Sequence, residues 1–356
     1  MKIIEFKSRG NSLVTFTLDF SIKNAIRPFL GISTLFMTLP AVFHCCSGLP
    51  ETHVPSPATC TTKVSLDADI DAMDVFVFKD DMFQKLDCYQ RVDNMEKWNG
   101  SIVSGKGDRI ITVLANSPYD RQHWFALKSR PHLESFRIRL EDERMENAIM
   151  AGEVQTSVSQ GGTGHANVKL RPLTSEIVLR SICCDFTGKP YAGSALADVK
   201  VYLTNVNAET IISDDNGSGP TRIINAGRYS ENDVEPFACK DIIIQEITGN
   251  IGRKVLYPDI RLRCYRNESV EESPGCPFTR LVIEGSIDGE RYYWPIDINR
   301  DTEDEKGIKE GHRYTYDIRI TRKGSTDPDI PVKSEDIEIR QEVAEWEEKE
   351  RYDVMF

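Results

Sequence analysis

Short stretches of alternating and β-branched residues, separated by turn residues, restrict the fold of this chain more than any other feature. Examples are DVFVFK at Asp74–Lys79, EIVLRSI at Glu176–Ile182 and VKVYLTN at Val199–Asn205. Clusters of Gly, Asn, Asp and Pro lie between such stretches, and this arrangement is typical of β-sandwiches. A helical pattern is confined to His132–Glu143, where three apolar residues would share one face. The sequence therefore predicts an all-β protein with little helix.

The strongest hairpin signal is Asp288-Gly289, which joins TRLVIEGSI to ERYYWPIDI. An Asp-Gly pair suits a type I′ turn, because both central residues of that turn need a positive φ. The predicted strands, this hairpin included, are Lys63–Leu66, Asp74–Lys79, Phe83–Val92, Arg109–Ala115, Ala166–Leu170, Glu176–Ile182, Val199–Asn205, Asp241–Glu246, Asp259–Tyr265, Thr279–Ile287, Arg291–Ile298, Arg313–Thr321 and Asp336–Val343.

The length of the chain suggests two domains. It has 356 residues, and a domain takes roughly 150 residues once a leader is set aside. We place the boundary near Pro172, which predicts an N-terminal β-sandwich over residues 63–172 and a C-terminal β-sandwich over residues 173–356.

Residues 1–45 have the order of a bacterial lipoprotein signal peptide. Residues 1–27 carry five basic and two acidic side chains, residues 28–44 carry no charge, and Cys45 and Cys46 follow. A buried N-terminal helix is the other interpretation of the apolar stretch. The prolines and the glycine within that stretch disfavour a helix, as does its lack of a polar face.

The pair of cysteines offers two sites for the lipid. We expect Cys46 to be acylated, because the small Cys45 precedes it and Ser47 follows it. Cys45 is the alternative site, although the larger His44 precedes it. The unusual residue before the cysteine also leaves plain secretion open. Residues 46–62 would form a lipidated linker, and the lipid would hold the protein to a membrane.

The nine cysteines of the chain are many for a cytosolic protein and few for one that depends on disulfides. Cys264 and Cys276 flank the polar loop YRNESVEESPG and could form a disulfide if their strands are neighbours. Buried free thiols are an equally good interpretation. The sequence has no CxxC pair, so a zinc ribbon or a thioredoxin-type centre has little support.

The sequence contains no motif that indicates catalysis or cofactor binding. GxSxG, HExxH, the Walker loop and a complete dinucleotide fingerprint are all missing from it, and no two histidines have metal-ligand spacing. The net charge of −12 argues against nucleic-acid binding, which requires a basic face. We therefore predict no enzyme activity, no cofactor, no metal and no nucleic-acid partner.

The last 22 residues form a distinctive acidic segment. Residues 335–356 carry nine acidic and three basic side chains, while apolar residues alternate along them. Such a strand could pair with another subunit by strand addition. A last strand of the protein's own sheet is the other interpretation, which the pattern alone slightly favours. The residues that would contact a partner are Ile337, Ile339, Val343, Trp346, Tyr352, Val354 and Phe356.

Several stretches in order resemble the fimbrillin-type (type V) pilus subunits of Bacteroidales, especially the anchor-like lipoproteins of the minor-fimbrillin group. The resemblance begins with Cys46 and Cys60, followed by the strand KVSL. It continues with IDAMDVFVFKDDMFQKL and with RIITVLANSP. The closing half, TRLVIEGSIDGERYYWPIDI, then GHRYTYDIRITRKG and Trp346, is the part most similar to the family.

This resemblance implies two tandem transthyretin-like β-sandwich domains of Greek-key type and delivery to the outer membrane as a surface lipoprotein. It also implies that fimbrial subunits exchange strands, so that a C-terminal strand fills a groove opened by proteolysis. Lys63 would be the cleavage site if this chain were a stalk or tip subunit. No Arg lies between Cys46 and Lys79, which favours the uncut anchor or minor subunit.

A glycan-binding or glycan-degrading surface lipoprotein is the alternative function. The aromatic stretch GERYYWPI could form an exposed platform on which sugars stack, with Tyr293 and Trp294 at its centre. The same aromatic residues could equally belong to the core of a sandwich, which is the interpretation we prefer.

Overall fold

The structure of the protein is a computed structural model. It describes residues 15–21, 58–64, 70–93, 103–158, 165–212, 219–300, 306–332 and 336–345; for residues 15–21 and 58–64 the backbone pairing alone is described. Helix is limited to two short α-helices, α1 (Arg130–Glu134) and α2 (Glu231–Val234), and to 3-10 turns at His123–Ala126, Leu140–Asp142 and Lys240–Ile242. None of these helices has the length and apolar character needed to cross a membrane.

The remaining elements are strands, which confirms the prediction of an all-β fold. The first ten strands are β1 (Thr15–Ser21), β2 (Ala58–Val64), β3 (Met73–Lys79), β4 (Leu86–Val92), β5 (Val103–Ser104), β6 (Gly107–Ala115), β7 (Arg137–Arg139), β8 (Met150–Val158), β9 (His165–Lys169) and β10 (Arg171–Pro172). The other eleven are β11 (Ser175–Cys184), β12 (Ala197–Thr204), β13 (Val206–Asn207), β14 (Glu209–Ile211), β15 (Ile223–Ile224), β16 (Ile244–Ile247), β17 (Ile260–Cys264), β18 (Arg280–Ile287), β19 (Glu290–Asp297), β20 (His312–Ile320) and β21 (Ile337–Glu345).

Two sheets form the N-terminal half. Sheet A has the strand order β5-β2-β1-β9, and sheet B has the order β10-β8-β6-β3-β4. Alternation along β3 decides what each face of sheet B contacts. Val75 and Val77 join a core cluster with Ala166 and Val168 of sheet A, whereas Phe76 lies on the opposite face in a second cluster. Both faces of sheet B are therefore covered, which explains why β3 is apolar at consecutive positions.

Two further sheets form the C-terminal half. Sheet C has the order β17-β11-β20-β21, with β11 and β20 parallel, and sheet D has the order β16-β12-β18-β19. Their core contains the largest fully buried side chains of this half, including Trp294, Tyr314 and Tyr316. The predicted hairpin joins β18 to β19, and Asp288 and Gly289 have φ angles of 55° and 85°. These positive values are those that a type I′ turn requires, and the hairpin prediction is confirmed.

Sheet membership changes between Pro172, the last residue of β10, and Ser175, the first residue of β11. The two halves are nevertheless joined. Strand β7 of the N-terminal half pairs with β14 of the C-terminal half, and the core cluster that contains Phe76 continues into the core around Trp294. The halves therefore share one hydrophobic core across their junction.

Local predictions were wrong where pairing between distant strands decided the structure. In the expected helix at His132–Glu143, α1 ends at Glu134 and only a 3-10 turn follows at Leu140–Asp142, because Arg137–Arg139 pairs with β14 instead. The expected strand at Asp241–Glu246 begins as a 3-10 turn and becomes β16 at Ile244. Strand β8 was not predicted, although it pairs with β6 along its whole length.

Candidate functional site

Strand β1 occupies the centre of sheet A, between β2 and β9. It is antiparallel to both neighbours: Phe16 lies opposite Val64 of β2 on one side and opposite Val168 of β9 on the other. The strand belongs to the segment that we predict to be a signal peptide. Without β1, the backbone edges of β2 and β9 that now face it would lack a partner strand in sheet A.

The candidate cleavage residue lies in the same part of the sheet. Lys63 is in β2, opposite Thr17 of β1. Strand β2 ends at Val64, and its other edge pairs with β5 through Ala58 and Thr59. Cleavage after Lys63 would therefore remove nearly all of β2 from the sheet.

The C-terminal contact residues divide into two groups. Ile337, Ile339 and Val343 lie in β21, where Ile337 is buried, Ile339 is half-buried and packs on the core, and Val343 is 42% exposed. Strand β21 pairs antiparallel with β20, so this part of the segment closes the protein's own sheet C. The other predicted contact residues, Trp346, Tyr352, Val354 and Phe356, lie outside the described residues, as do Cys45 and Cys46.

Cys264 and Cys276 are both free cysteines in the structure, which favours the alternative of free thiols over the suggested disulfide. Cys264 is fully buried at the end of β17 in sheet C. Cys276 precedes β18 of sheet D and lies beside Gly219. The strands that flank the loop thus belong to different sheets, which contradicts the condition on which the pairing depended. Burial raises the pKa of the Cys264 thiol to about 12, so this cysteine is an inert core residue.

The aromatic stretch of β19 does not form an exposed platform. Trp294 is completely buried, and its indole N–H donates a hydrogen bond to the Arg322 carbonyl at 3.2 Å. Tyr292 and Tyr293 are half-buried, and the backbone of Tyr293 exchanges two hydrogen bonds with Ser325. These aromatic residues therefore contribute mainly to the core, which agrees with the interpretation that we preferred.

A buried polar cluster joins the two halves. Glu143 is 1% exposed and accepts hydrogen bonds from the Ile149 N–H at 3.0 Å and from the Tyr265 hydroxyl at 3.2 Å. Burial raises the pKa of Glu143 to about 7, although the nearby Arg263 guanidinium opposes this shift. Arg263 also donates to the Met145 carbonyl at 2.8 Å. Two segments that are far apart in the sequence are thus tied by polar groups that water does not reach.

A polar cavity of about 220 Å³ lies at the junction and is lined by residues of both halves, among them Thr112, Glu153, Ile212 and Glu310. Its charged groups are largely paired with one another: Arg130 donates to both carboxylate oxygens of Glu153 at 2.9 Å and forms an ion pair with Glu134. Thr112 donates to the same Glu153 carboxylate at 2.8 Å. Within the described residues, no group of three or more His, Cys, Asp or Glu side chains could hold a metal ion.

Sequence reasoning missed two of these features. The alternation in Thr15–Ser21 (TFTLDFS) indicates a strand, but these residues were assigned to the signal peptide and no strand was predicted there. Glu143 carried no signal, because its burial depends on Arg263 and Tyr265, more than 100 residues further along the chain.

Comparison with known proteins identifies similar folds. No protein-family model and no curated protein matches the chain. A putative cell adhesion protein from Bacteroides eggerthii has a TM-score of 0.60 at 18% identity, with 79% of this chain and 90% of that chain covered. A second, from Parabacteroides distasonis, has a TM-score of 0.55 at 14% identity, with 94% and 100% covered.

A fimbrilin from Porphyromonas gingivalis is also similar, with a TM-score of 0.54 at 15% identity over 79% of this chain and 92% of the fimbrilin. Identities at this level establish a shared fold and leave activity to be argued from the residues themselves. The all-β architecture that the sequence predicted is thus the architecture of a fimbrilin and of putative cell adhesion proteins from related bacteria.

Proposed function

We propose that the protein is an outer-membrane lipoprotein that serves as an anchor or minor subunit of a fimbria and assembles by strand complementation. The shared fold with a fimbrilin supports the fimbrial role. The predicted lipid on Cys46, or on Cys45, would hold the subunit at the cell surface. Its contacts with other subunits would be made by backbone edges and would require no catalytic centre.

The observation that carries this proposal is the position of β1 in sheet A. A strand from the predicted signal peptide lies between β2 and β9 and pairs with both. Removal of residues 1–45 would open a slot with unpaired backbone edges on two sides. A strand from another subunit could fill such a slot, because main-chain hydrogen bonds supply affinity and alternate side chains supply selectivity.

The pattern of the C-terminal residues supports the same idea. Phe16–Phe20 reads FTLDF, and Tyr352–Phe356 reads YDVMF. Both segments place an aromatic, an aliphatic and a phenylalanine residue at alternate positions, with polar or flexible residues between them. A strand with the second pattern therefore suits a slot that accepts the first.

The anchor role is supported by what cleavage at Lys63 would remove. Strand β2 forms one wall of the slot and pairs with β1 from Thr59 to Val64. A chain cut after Lys63 would lose this wall along with its lipid. An uncut chain would keep both, which suits a subunit held at the base of a fimbria.

Mass spectrometry of the protein from the outer membrane tests the anchor role. We expect the mature chain to begin at an acylated Cys46, and Cys46→Ala should abolish the incorporation of a labelled fatty acid. Acylation lost only in Cys45→Ala would assign the lipid to the alternative site. An unacylated mature chain that begins at Val64 would contradict the anchor role.

Substitution of the C-terminal segment tests strand complementation. Replacing Tyr352, Val354 and Phe356 by Asp should abolish copurification with other fimbrial subunits, because charged side chains would enter the apolar positions of the slot. The matched control replaces the alternate residues Asp353 and Met355 by Ser and should copurify normally. Copurification of both variants would contradict this mode of assembly.

A further inference from the structure

The outer backbone edge of β21 is a possible binding surface that the proposed function does not use. Strand β21 spans nine residues at the end of sheet C, and among the described residues no other strand pairs with its outer edge. Two other edges, those of β19 and β4, are partly covered. The segment with Ser325 and Val332 hydrogen-bonds to the backbone of β19, and Lys128 hydrogen-bonds to Leu86 at the edge of β4.

An uncovered strand of this length is a template for a further strand. Its charged residues restrict what that strand can be. On the exposed face, Glu338, Arg340 and Glu342 alternate in sign along β21. Each continues a pattern of opposite charges across sheet C: Glu338 forms an ion pair with Arg319 at 3.6 Å, Arg340 lies opposite Asp317, and Glu342 accepts from Arg180 at 3.0 Å.

Along the whole of β21, a second copy complements this pattern in one antiparallel register. A pairing centred on Ile339 would also bring Arg340 opposite Glu338, but it would place Asp336 opposite Glu342. When Gln341 lies opposite Gln341, Arg340 of each copy faces Glu342 of the other, and Ile339 faces Val343. The Arg340–Glu342 ion pair occurs twice because of the symmetry. The exposed side chain of Val343, at 42% exposure, would gain an apolar neighbour.

Neighbouring registers are unfavourable. A pairing centred on Arg340 would place Arg340 opposite itself and Glu338 opposite Glu342, and one centred on Glu342 would place Glu342 opposite itself. Like charges directly opposite each other destabilise a sheet. Shifts of one residue would bring exposed side chains to the covered face. The Gln341-centred register is thus the longest one that avoids these conflicts.

We propose that two copies of this protein associate through their β21 strands, in antiparallel register about Gln341, and join the two C sheets into one. The occupant of the edge is a second copy of the chain. This interaction is separate from the slot in sheet A and from the residues beyond Glu345, so it stands or falls independently of strand complementation.

Cysteine cross-linking of the full chain in its membrane tests the register. Backbone positions directly opposite each other in an antiparallel pair are roughly 5 Å apart, so Gln341→Cys should give a disulfide-linked dimer under mild oxidation. The matched control is Glu338→Cys. In the proposed register its two copies are roughly 20 Å apart, and it should give no more dimer than the wild-type chain, whose own cysteines serve as the background.

Charge variants test the same register without a new cysteine. Arg340→Glu should raise the dissociation constant of the dimer roughly tenfold in sedimentation experiments, because it creates two like-charge pairs. The charge swap Arg340→Glu with Glu342→Arg should restore the dimer, and Arg180 keeps its contact with Asp317 in that variant. Arg340 and Glu342 are both exposed, so the loss of their charge contacts with Asp317 and Arg180 should lower the melting temperature only a little.

Three results would overturn the proposal: a wild-type chain that stays monomeric at every concentration, equal cross-linking at positions 338 and 341, or a dimer that Arg340→Glu leaves unchanged. Cross-linking of the Gln341→Cys variant to a different protein would also overturn it, because the edge would then belong to another partner. Gln341→Cys could weaken the fold, because the hydrogen bond from the Tyr316 hydroxyl is lost. The sedimentation experiment with Arg340→Glu leaves Gln341 in place and therefore still tests the register.

Discussion

Sheets A and C each contain a strand drawn from an outlying part of the sequence, but they hold it differently. Strand β1 lies at the centre of sheet A, and both of its neighbours are distant in sequence, as the pairing of Thr15 with Lys169 shows. Strand β21 lies at the edge of sheet C and pairs with the preceding strand β20, with Ile337 opposite Ile320. A strand in the place of β1 would need to pair on both sides, whereas the edge strand β21 leaves one backbone edge open to a further strand.

Removal of β1 is the strongest test of this difference. A chain that begins at Cys46 should exchange amide hydrogens in β2 and β9 about a hundredfold faster than the full chain, because both strands lose a neighbour. Exchange in β11 and β20 should change little. Equal loss of protection in both halves would show that β1 supports the whole molecule and not sheet A alone.

A core substitution in the C-terminal half tests the other side of this comparison. Trp294→Ala should lower the free energy of unfolding by about 3–5 kcal/mol in denaturant titrations, because the fully buried indole leaves a cavity. Tyr257 is 72% exposed, and Tyr257→Ala should change stability by less than about 0.5 kcal/mol. Because the core continues through the junction, we expect both halves to unfold in one transition. Two separate transitions would show that the halves are independent domains.

The junction should make stability depend on pH through Glu143. Burial raises its pKa to about 7, so the folded protein binds this proton more tightly than the unfolded chain does. The stabilising contribution is complete below about pH 4.5 and is lost as the pH rises to about 7, which amounts to about 3 kcal/mol.

Replacing Glu143 by Gln removes the titrating group and should flatten this part of the stability profile, measured by denaturation between pH 4 and 8. The exposed Glu235 is a suitable control, and Glu235→Gln should keep the wild-type slope. An unchanged slope in Glu143→Gln would mean that other groups govern the pH response of the junction.

The β18–β19 hairpin should give the smallest effect. Gly289→Ala should cost about 1–2 kcal/mol, because the residue has a φ of 85° and no atom lies within 4 Å of an added Cβ, so the cost is that of the backbone alone. Gly193 also has open space around it but lacks a positive φ. Gly193→Ala should therefore leave thermal stability nearly unchanged, and an equal loss in both variants would rule out the turn as the cause.

Much of the fold could be predicted from local pattern. The Asp288-Gly289 turn was identified correctly because its two residues are suited to a positive φ regardless of their surroundings. Strand β8 was missed because its sequence MAGEVQTSV is weakly alternating, and it becomes a strand by pairing with β6. Of the candidate site, Lys63 and the C-terminal segment were proposed from sequence and stay predictions, while the strands that pair with them were not predicted.

The sequence by itself determined the β-rich class, the turn residues and the absence of known catalytic motifs, because these depend on side chains a few positions apart. The tertiary structure decided which strands are neighbours. It placed Thr15–Ser21 between β2 and β9, joined Arg137–Arg139 to β14, and buried Glu143 against Tyr265. Hydrogen bonds between backbones are the same for every residue type, so the choice of partner strand depends on how the whole chain packs.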